Sequence, residues 1–264
     1  ADWSAIEGRV NPWLSGSEEG EVKLSVFRSG RDPYIVNAAA TYSVAYDAVS
    51  DSQRQVGKVQ ELALGFGGGV GAFAAMGRGY GLVLPEHEAQ KMVNAWRRTN
   101  PWAPPFWSQL EFAYLSAMRE PDTEFSAGRV SYLYDGQHLW YILPSGRVLC
   151  YPFAKFDEEG NLTYAKAAWK PMADASSWPR ARLWKGLACE NITQATAHDL
   201  LRHALRELVW STVLHVHDEI VLEVAEADAD RALAWMTDVM TTPPDWATGL
   251  PLAVGAKIMT RYGK

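Results

Sequence analysis

The chain has 264 residues, 25 Lys and Arg against 31 Asp and Glu, a formal net charge of −6, and two cysteines, Cys150 and Cys189. That length allows one large or two small domains. The cysteine count excludes a disulfide framework and fits a reducing cytoplasm, and no apolar run reaches the roughly 18 residues of a membrane span, so no membrane partner is expected. The acidic sum argues against nucleic acid as a partner, although it does not exclude a locally basic site.

The opening residues, with Asp2 and Glu7, do not read as a secretory leader. Ser4-Ala5-Ile6-Glu7 has capping-box spacing and predicts a helix from near Ala5, bent at Pro12 and stopped by Gly16. Asp32-Pro33 starts a second helix that runs to about Tyr46. Asp51 caps a third over 53–65, ending in the cluster Gly65, Gly67, Gly68, Gly69 and Gly71. Pro85 opens a helix to about Thr99, and 106–119 follows after a Pro-rich break. Near Phe125 the pattern changes: 130–134, 137–143 and 147–153 alternate as a β-meander, turning at Asp135-Gly136 and Pro144-Ser145-Gly146. Residues 155–180 read as a polar, exposed insertion, and 186–208 as a long helix. Residues 214–223, Leu-His-Val-His-Asp-Glu-Ile-Val-Leu-Glu, read as a well-buried apolar hairpin with His217, Asp218 and Glu219 at its tip. A helix over 227–240 and a last strand near 252–259 close the chain. The organisation is α+β: a mostly helical middle inserted between segments that build a small antiparallel sheet.

Three constellations carry chemistry. Asp2, leading into the first helix, and Asp218, at the hairpin tip, are far apart in sequence; on adjacent strands they would make a two-metal site for phosphoryl transfer, since paired carboxylates repel unless a cation lies between them. Glu7 has a plain structural reading as the third residue of the capping box. Arg54, Lys58, Leu62 and Phe66 recur every fourth residue and share one helix face, with two cations for phosphates followed by two apolar groups for a sugar and base.

Asp-x-Ser-x-x-Glu, then Arg-x3-Lys-x7-Phe-Gly, then His-Asp-Glu, in that order, resembles the three core motifs of the family A DNA polymerases. Leu143-Pro144-Ser145-Gly146-Arg147 and Glu190-Asn191-Ile192-Thr193-Gln194-Ala195 resemble the phage branch of that family. The resemblance implies a right-hand fold without its thumb: palm over 1–30, fingers over 31–125 with the nucleotide-binding helix near 52–65, and palm again over 126–264 with the catalytic hairpin at 212–224. It implies that Asp2 and Asp218, with the Trp3 carbonyl, hold two Mg²⁺ ions (Mn²⁺ being the alternative), with Glu219 beside them. Glu7 becomes the gate against a ribose 2′-hydroxyl. Tyr34, Arg54 and Lys58 bind the dNTP phosphates, Lys58 also assists pyrophosphate departure, and Leu62 and Phe66 line the nucleotide pocket. Arg9, Asn191, Gln194 and His217 contact the DNA primer–template.

This sequence departs from the family pattern at three of these positions. Phe66 stands where Tyr is usual, Leu62 where Phe or Tyr is usual, and Tyr34 where bacterial relatives place a phosphate-binding His. The expected partner is an N-terminal polymerase polypeptide bearing the thumb and any exonuclease, and the expected location is the cytoplasm, that of the host if the protein is viral. A non-catalytic palm–fingers module and a single-subunit RNA polymerase are the alternatives.

Overall fold

The computed structural model describes residues 1–166, 174, 177–209 and 211–263. A two-residue strand β1 (Asp2–Trp3) leads into α1 (Ile6–Ser15), which is buried along most of its length. Gly16, at φ 63°, ends α1 in the left-handed conformation that glycine adopts at no steric cost. The expected capping box is absent. Ala5, at φ 52°, is the N-cap with no side-chain bond, which places Glu7 second in the helix rather than third.

The helix α2 (Glu18–Arg28) was not foreseen; Ser17 caps it by accepting from Gly20 N. Asp32 caps α3 (Pro33–Tyr42) by accepting from the amides of Tyr34 and Ile35, and left-handed Ser43 stops it four residues short of Tyr46. The cap of α4 (Asp51–Leu64) is Ser50, one residue earlier than expected, in a true capping box with Gln53. The glycine cluster after it does not stay a loop but opens α5 (Val70–Gly79). Next come α6 (Glu86–Thr99) and α7 (Ala103–Arg119), whose first turn takes in the prolines expected to break the chain, because proline fits helix starts. No helix among the described residues is long and apolar enough to cross a membrane.

The meander is β2 (Phe125–Ala127), β3 (Val130–Tyr134), β4 (Leu139–Ile142) and β5 (Val148–Tyr151), antiparallel in that order. The expected insertion at 155–180 instead contributes a small sheet of β6 (Lys155–Phe156), β7 (Leu162–Ala165) and β8 (Arg180–Arg182). Its remainder at 167–173 and 175–176 lies outside the described residues. The long helix α8 (Lys185–Glu207) follows, then β9 (Thr212–Val216), β10 (Glu219–Leu222) and α9 (Ala229–Thr241). The last strand, β11 (Val254–Gly255), is much shorter than expected.

The first sheet has the order β11-β1-β10-β9. Strand β9 is therefore an edge, and Val213 and Leu214 are exposed on it, contrary to the buried hairpin expected from composition. Apolar residues fill both strands, but only Ile220 of β10 is fully buried.

Helices α1, α7 and α8 pack together, α7 also backs the meander, and α3 to α6 pack on one another as the helical insertion. Buried Asp199 of α8 holds the β4–β5 turn, binding Ser145 and pairing with Arg147 at 2.6 Å. The α3–α4 crossing is close enough that a Cβ on Gly57 would lie 2.0 Å from Tyr34 O. Gly57→Ala must therefore force the two helices apart; a loss of about 1–3 kcal/mol or more is expected, measurable as a lowered denaturant midpoint with unchanged slope.

Candidate active site

Strand β1 lies between β10 and β11, with Asp2 directly opposite Glu219 on one side and Gly255 on the other. Backbone bonds from Ile220 N to Ala1 O and from Ser4 N to Ala253 O, both 2.8 Å, fasten this short strand at each end. Trp3, buried beneath it, donates Nε1 to Met240 O at 2.7 Å. The side chains alternate, so Trp3 is held in the core while Asp2 is exposed on the other face.

The β9–β10 hairpin closes through His217 and Asp218, with Val216 paired to Glu219. His217 has φ 55°, uncommon for a residue bearing a Cβ and a form of strain that favours functional turns. Glu219 faces Asp2 across the ladder, and Asp218 stands next to Glu219 at the turn. Tyr262, which no sequence signal marked, donates its hydroxyl to Glu219 Oε2 at 2.9 Å.

Among the described residues, no group of three or more His, Cys, Asp or Glu side chains could hold a metal by itself. The donors at this sheet end are nevertheless hard oxygens. Such donors suit Mg²⁺, which takes one or two protein carboxylates and completes its shell with water and substrate phosphates.

A cavity of about 90 Å³ is lined in part by Glu7, Tyr34, Leu62, Phe66, Trp96 and Trp102. Four expected nucleotide-site residues therefore converge. Glu7 is five residues from Asp2, so the chain can separate them by no more than roughly 18 Å. Gln194, expected at the primer–template, donates Nε2 to Glu7 Oε1 at 3.0 Å and holds that carboxylate in place. Asn191, one turn earlier on α8, donates to the Tyr151 hydroxyl at 3.0 Å.

The stripe on α4 is real for Arg54, Lys58 and Leu62, while Phe66 lies just past the helix end. Its cations are engaged within the chain. Arg54 pairs with Asp32 at 2.7 Å and lies over the Tyr34 ring at 5.3 Å. Lys58 Nζ lies 5.0 Å from the Tyr80 ring centre. Burial first, then the nearby Glu61 and Asp32 carboxylates, raises the Tyr34 phenol above its ordinary range, so it remains a donor.

Arg9, expected at the DNA, is only 7% exposed. It donates to Ser4 O at 2.7 Å and Pro251 O at 3.2 Å and stacks on Phe27, pinning the turn after β1. A DNA-contact role does not fit that burial.

Glu61 was missed. Its Oε2 accepts from Lys23 Nζ at 2.9 Å, Asn37 Nδ2 at 2.7 Å and Trp96 Nε1 at 3.2 Å, joining α2, α3, α4 and α6. It adjoins Leu62 on α4, off the four-residue stripe, so periodicity passes over it.

No family model matches the chain. It is 35% identical over 271 residues to the DNA polymerase of Bacillus phage SP02, an alignment covering 100% of this chain and 41% of that protein. The chain thus spans about two fifths of the length of that curated relative. The structure matches the POL domain of Pol1 from M. smegmatis, solved in complex with DNA primer-template and dNTP. That match has a TM-score of 0.64 and 16% identity, and covers 96% of this chain and 38% of that one. The fold is that of a DNA polymerase POL domain. Within this POL-domain fold, Asp2 and Glu219 lie on the β11-β1-β10-β9 sheet, Asp218 in its β9–β10 turn, and the cationic stripe on a helix of the insertion.

The Cys189 thiol, buried in α8, is pushed up to about 12, burial being the first cause. Its Sγ donates to Asn11 Oδ1 at 3.2 Å. Cys150 is only partly buried. A thiol reagent at pH 8 is expected to modify Cys150 and spare Cys189 until the chain unfolds; peptide mapping of the labelled protein checks the order.

Proposed function

We propose that the chain carries the nucleotidyl-transfer site of a template-directed DNA polymerase of the family A type, adding dNTPs to a primer 3′-hydroxyl. The observation that carries this reading is the strand pairing that sets Asp2 opposite Glu219, the chain neighbour of Asp218, with Glu7 five residues downstream of Asp2 lining the cavity that also holds Tyr34, Leu62 and Phe66. The relative's identity over the whole chain and the POL-domain fold support it. The segments 1–30 and 126–264 serve as palm and 31–125 as fingers. The greater length of the phage relative supports a further polypeptide as the working partner, which this reading places N-terminal to these residues.

In this reading Asp2, Asp218 and the Trp3 carbonyl bind two Mg²⁺ ions, with Glu219, held by Tyr262, in a supporting role. Bound magnesium supplies charge neutralisation and acidifies the attacking hydroxyl. The residues do the positioning that dominates phosphoryl transfer. Arg54 and Lys58 leave Asp32 and Tyr80 to grip the triphosphate, and Tyr34 donates a hydrogen bond to it. The primer 3′-hydroxyl gives its proton to solvent, its oxygen attacks the α-phosphorus in line, the bond to the bridging oxygen breaks, and pyrophosphate leaves with Lys58 as its proton donor. Leu62 and Phe66 flank the sugar and base. Glu7, steadied by Gln194, occupies the space a 2′-hydroxyl would need, and Asn191, Gln194 and His217 face the primer–template.

Primer extension with Mg²⁺ and all four dNTPs tests this reading, alone and with the remainder of the polymerase supplied. Asp218→Asn is expected to lower extension at least 10³-fold, a loss on the order of an oxyanion-type contact, while DNA binding is kept. Equal rates for mutant and parent would refute the metal assignment. Glu7→Ala is expected to raise ribonucleotide incorporation at least tenfold relative to deoxynucleotide, read as the ratio of kcat/KM values; an unchanged ratio removes the gate.

A further inference from the structure

We propose that Glu61 Oε1 is the acceptor for the 3′-hydroxyl of the incoming deoxynucleotide, an inference that rests on the polymerase reading above. The Glu61 side chain is 9% exposed and lines the cavity that holds Glu7, Tyr34, Leu62 and Phe66. Its two oxygens are in different states. Oε2 is saturated by Lys23, Asn37 and Trp96. Oε1 accepts no hydrogen bond among the described residues and lies 3.2 Å from where a Cβ on Gly8 would stand. Gly8 is next to Glu7, so this free oxygen faces the sugar side of the pocket. Lys23 balances the charge, and the three donors to Oε2 fix the carboxylate plane, so Oε1 is a pre-aimed acceptor in a largely apolar cavity.

The ligand's donor follows from elimination. A template-directed enzyme accepts four bases whose exocyclic groups differ, so a rigid acceptor cannot be matched to the base. With Glu7 excluding a 2′-hydroxyl, the 3′-hydroxyl is the one sugar donor common to all four dNTPs. Leu62 brings no polar group to this end of the pocket, and its neighbour Glu61 supplies one.

Fluorescence titration of the full chain with dNTP and with 2′,3′-dideoxy-NTP in Mg²⁺ tests the assignment, since Trp96 and Trp102 line the cavity and binding is read without turnover. The parent is expected to bind dNTP about tenfold tighter than its dideoxy analogue, as for a hydrogen bond to a charged group. In Glu61→Gln the three donors to Oε2 force the amide NH₂ into the Oε1 position, turning acceptor into donor. Binding of dNTP should weaken about tenfold while the dideoxy analogue is held as before. Gly8→Ala keeps both Lys23 and Glu61 and sets a methyl 3.2 Å from Oε1, so it should shrink the same ratio several-fold, with the denaturant midpoint reading any cost of the close contact. A parent ratio near one, or parallel loss of both ligands in both variants, overturns the assignment while the polymerase reading stands. A parent that binds neither nucleotide and extends no primer overturns both.

Discussion

The carbonyl oxygen of Gly65 is where the helices are locked together. Asn11 Nδ2 of α1 donates to it at 2.9 Å and Trp107 Nε1 of α7 at 3.2 Å, while Cys189 of α8 donates to the same Asn11. One peptide group at the end of α4 is thereby tied to three helices of the surrounding frame. Burial makes each bond stronger and each broken one costly, on the order of 1–3 kcal/mol for a group left unsatisfied. The position of α4, and with it Arg54, Lys58, Glu61 and Leu62, follows from this junction. Stacked Trp96 and Trp107, 6.3 Å apart and 7° from parallel, extend the contact from α7 into the helical insertion.

The same end of α4 is also held by charge. Lys23 and Glu61 are almost fully buried, and such a pair contributes little net stability because desolvation offsets its attraction. Its consequence is geometric. Removing either partner leaves a buried charge, so the pair fixes α2 against α4 and with them one wall of the pocket. That wall is built from residues 38 positions apart, so the pocket exists only in the assembled fold.

Much of the site was legible in the sequence because it rests on short-range patterns. The Val216–Glu219 turn is marked by the apolar residues that flank its polar tip on both sides, and the α4 stripe by its four-residue spacing. What failed did so for identifiable reasons. Gly20 in the first turn of α2, and Gly71, Gly77 and Gly79 in α5, lower helix propensity enough to hide elements that tertiary packing stabilises. Apolar residues on β9 read as buried, but burial depends on strand order, and β9 is an edge. Asp32 for Arg54, Tyr80 for Lys58 and Lys23 for Glu61 come from other elements, which periodicity within one helix cannot show.

Those internal partners also bear on how the proposed site would take a nucleotide. Arg54 is 40% exposed in its pair with Asp32, and exposed pairs of this kind contribute about 0–1 kcal/mol. A triphosphate brings several negative charges and more acceptor oxygens than one carboxylate, so it displaces Asp32 at small cost. Lys58 over Tyr80 is a weaker tether still, about 0.5–1 kcal/mol at an exposed ring. The cations are thus parked in partnerships weak enough to give up, whereas Glu61 is fixed by three donors. In the proposed reading the phosphate end of the site would be adaptable and the sugar end rigid, the division expected where binding must first capture charge and then test shape.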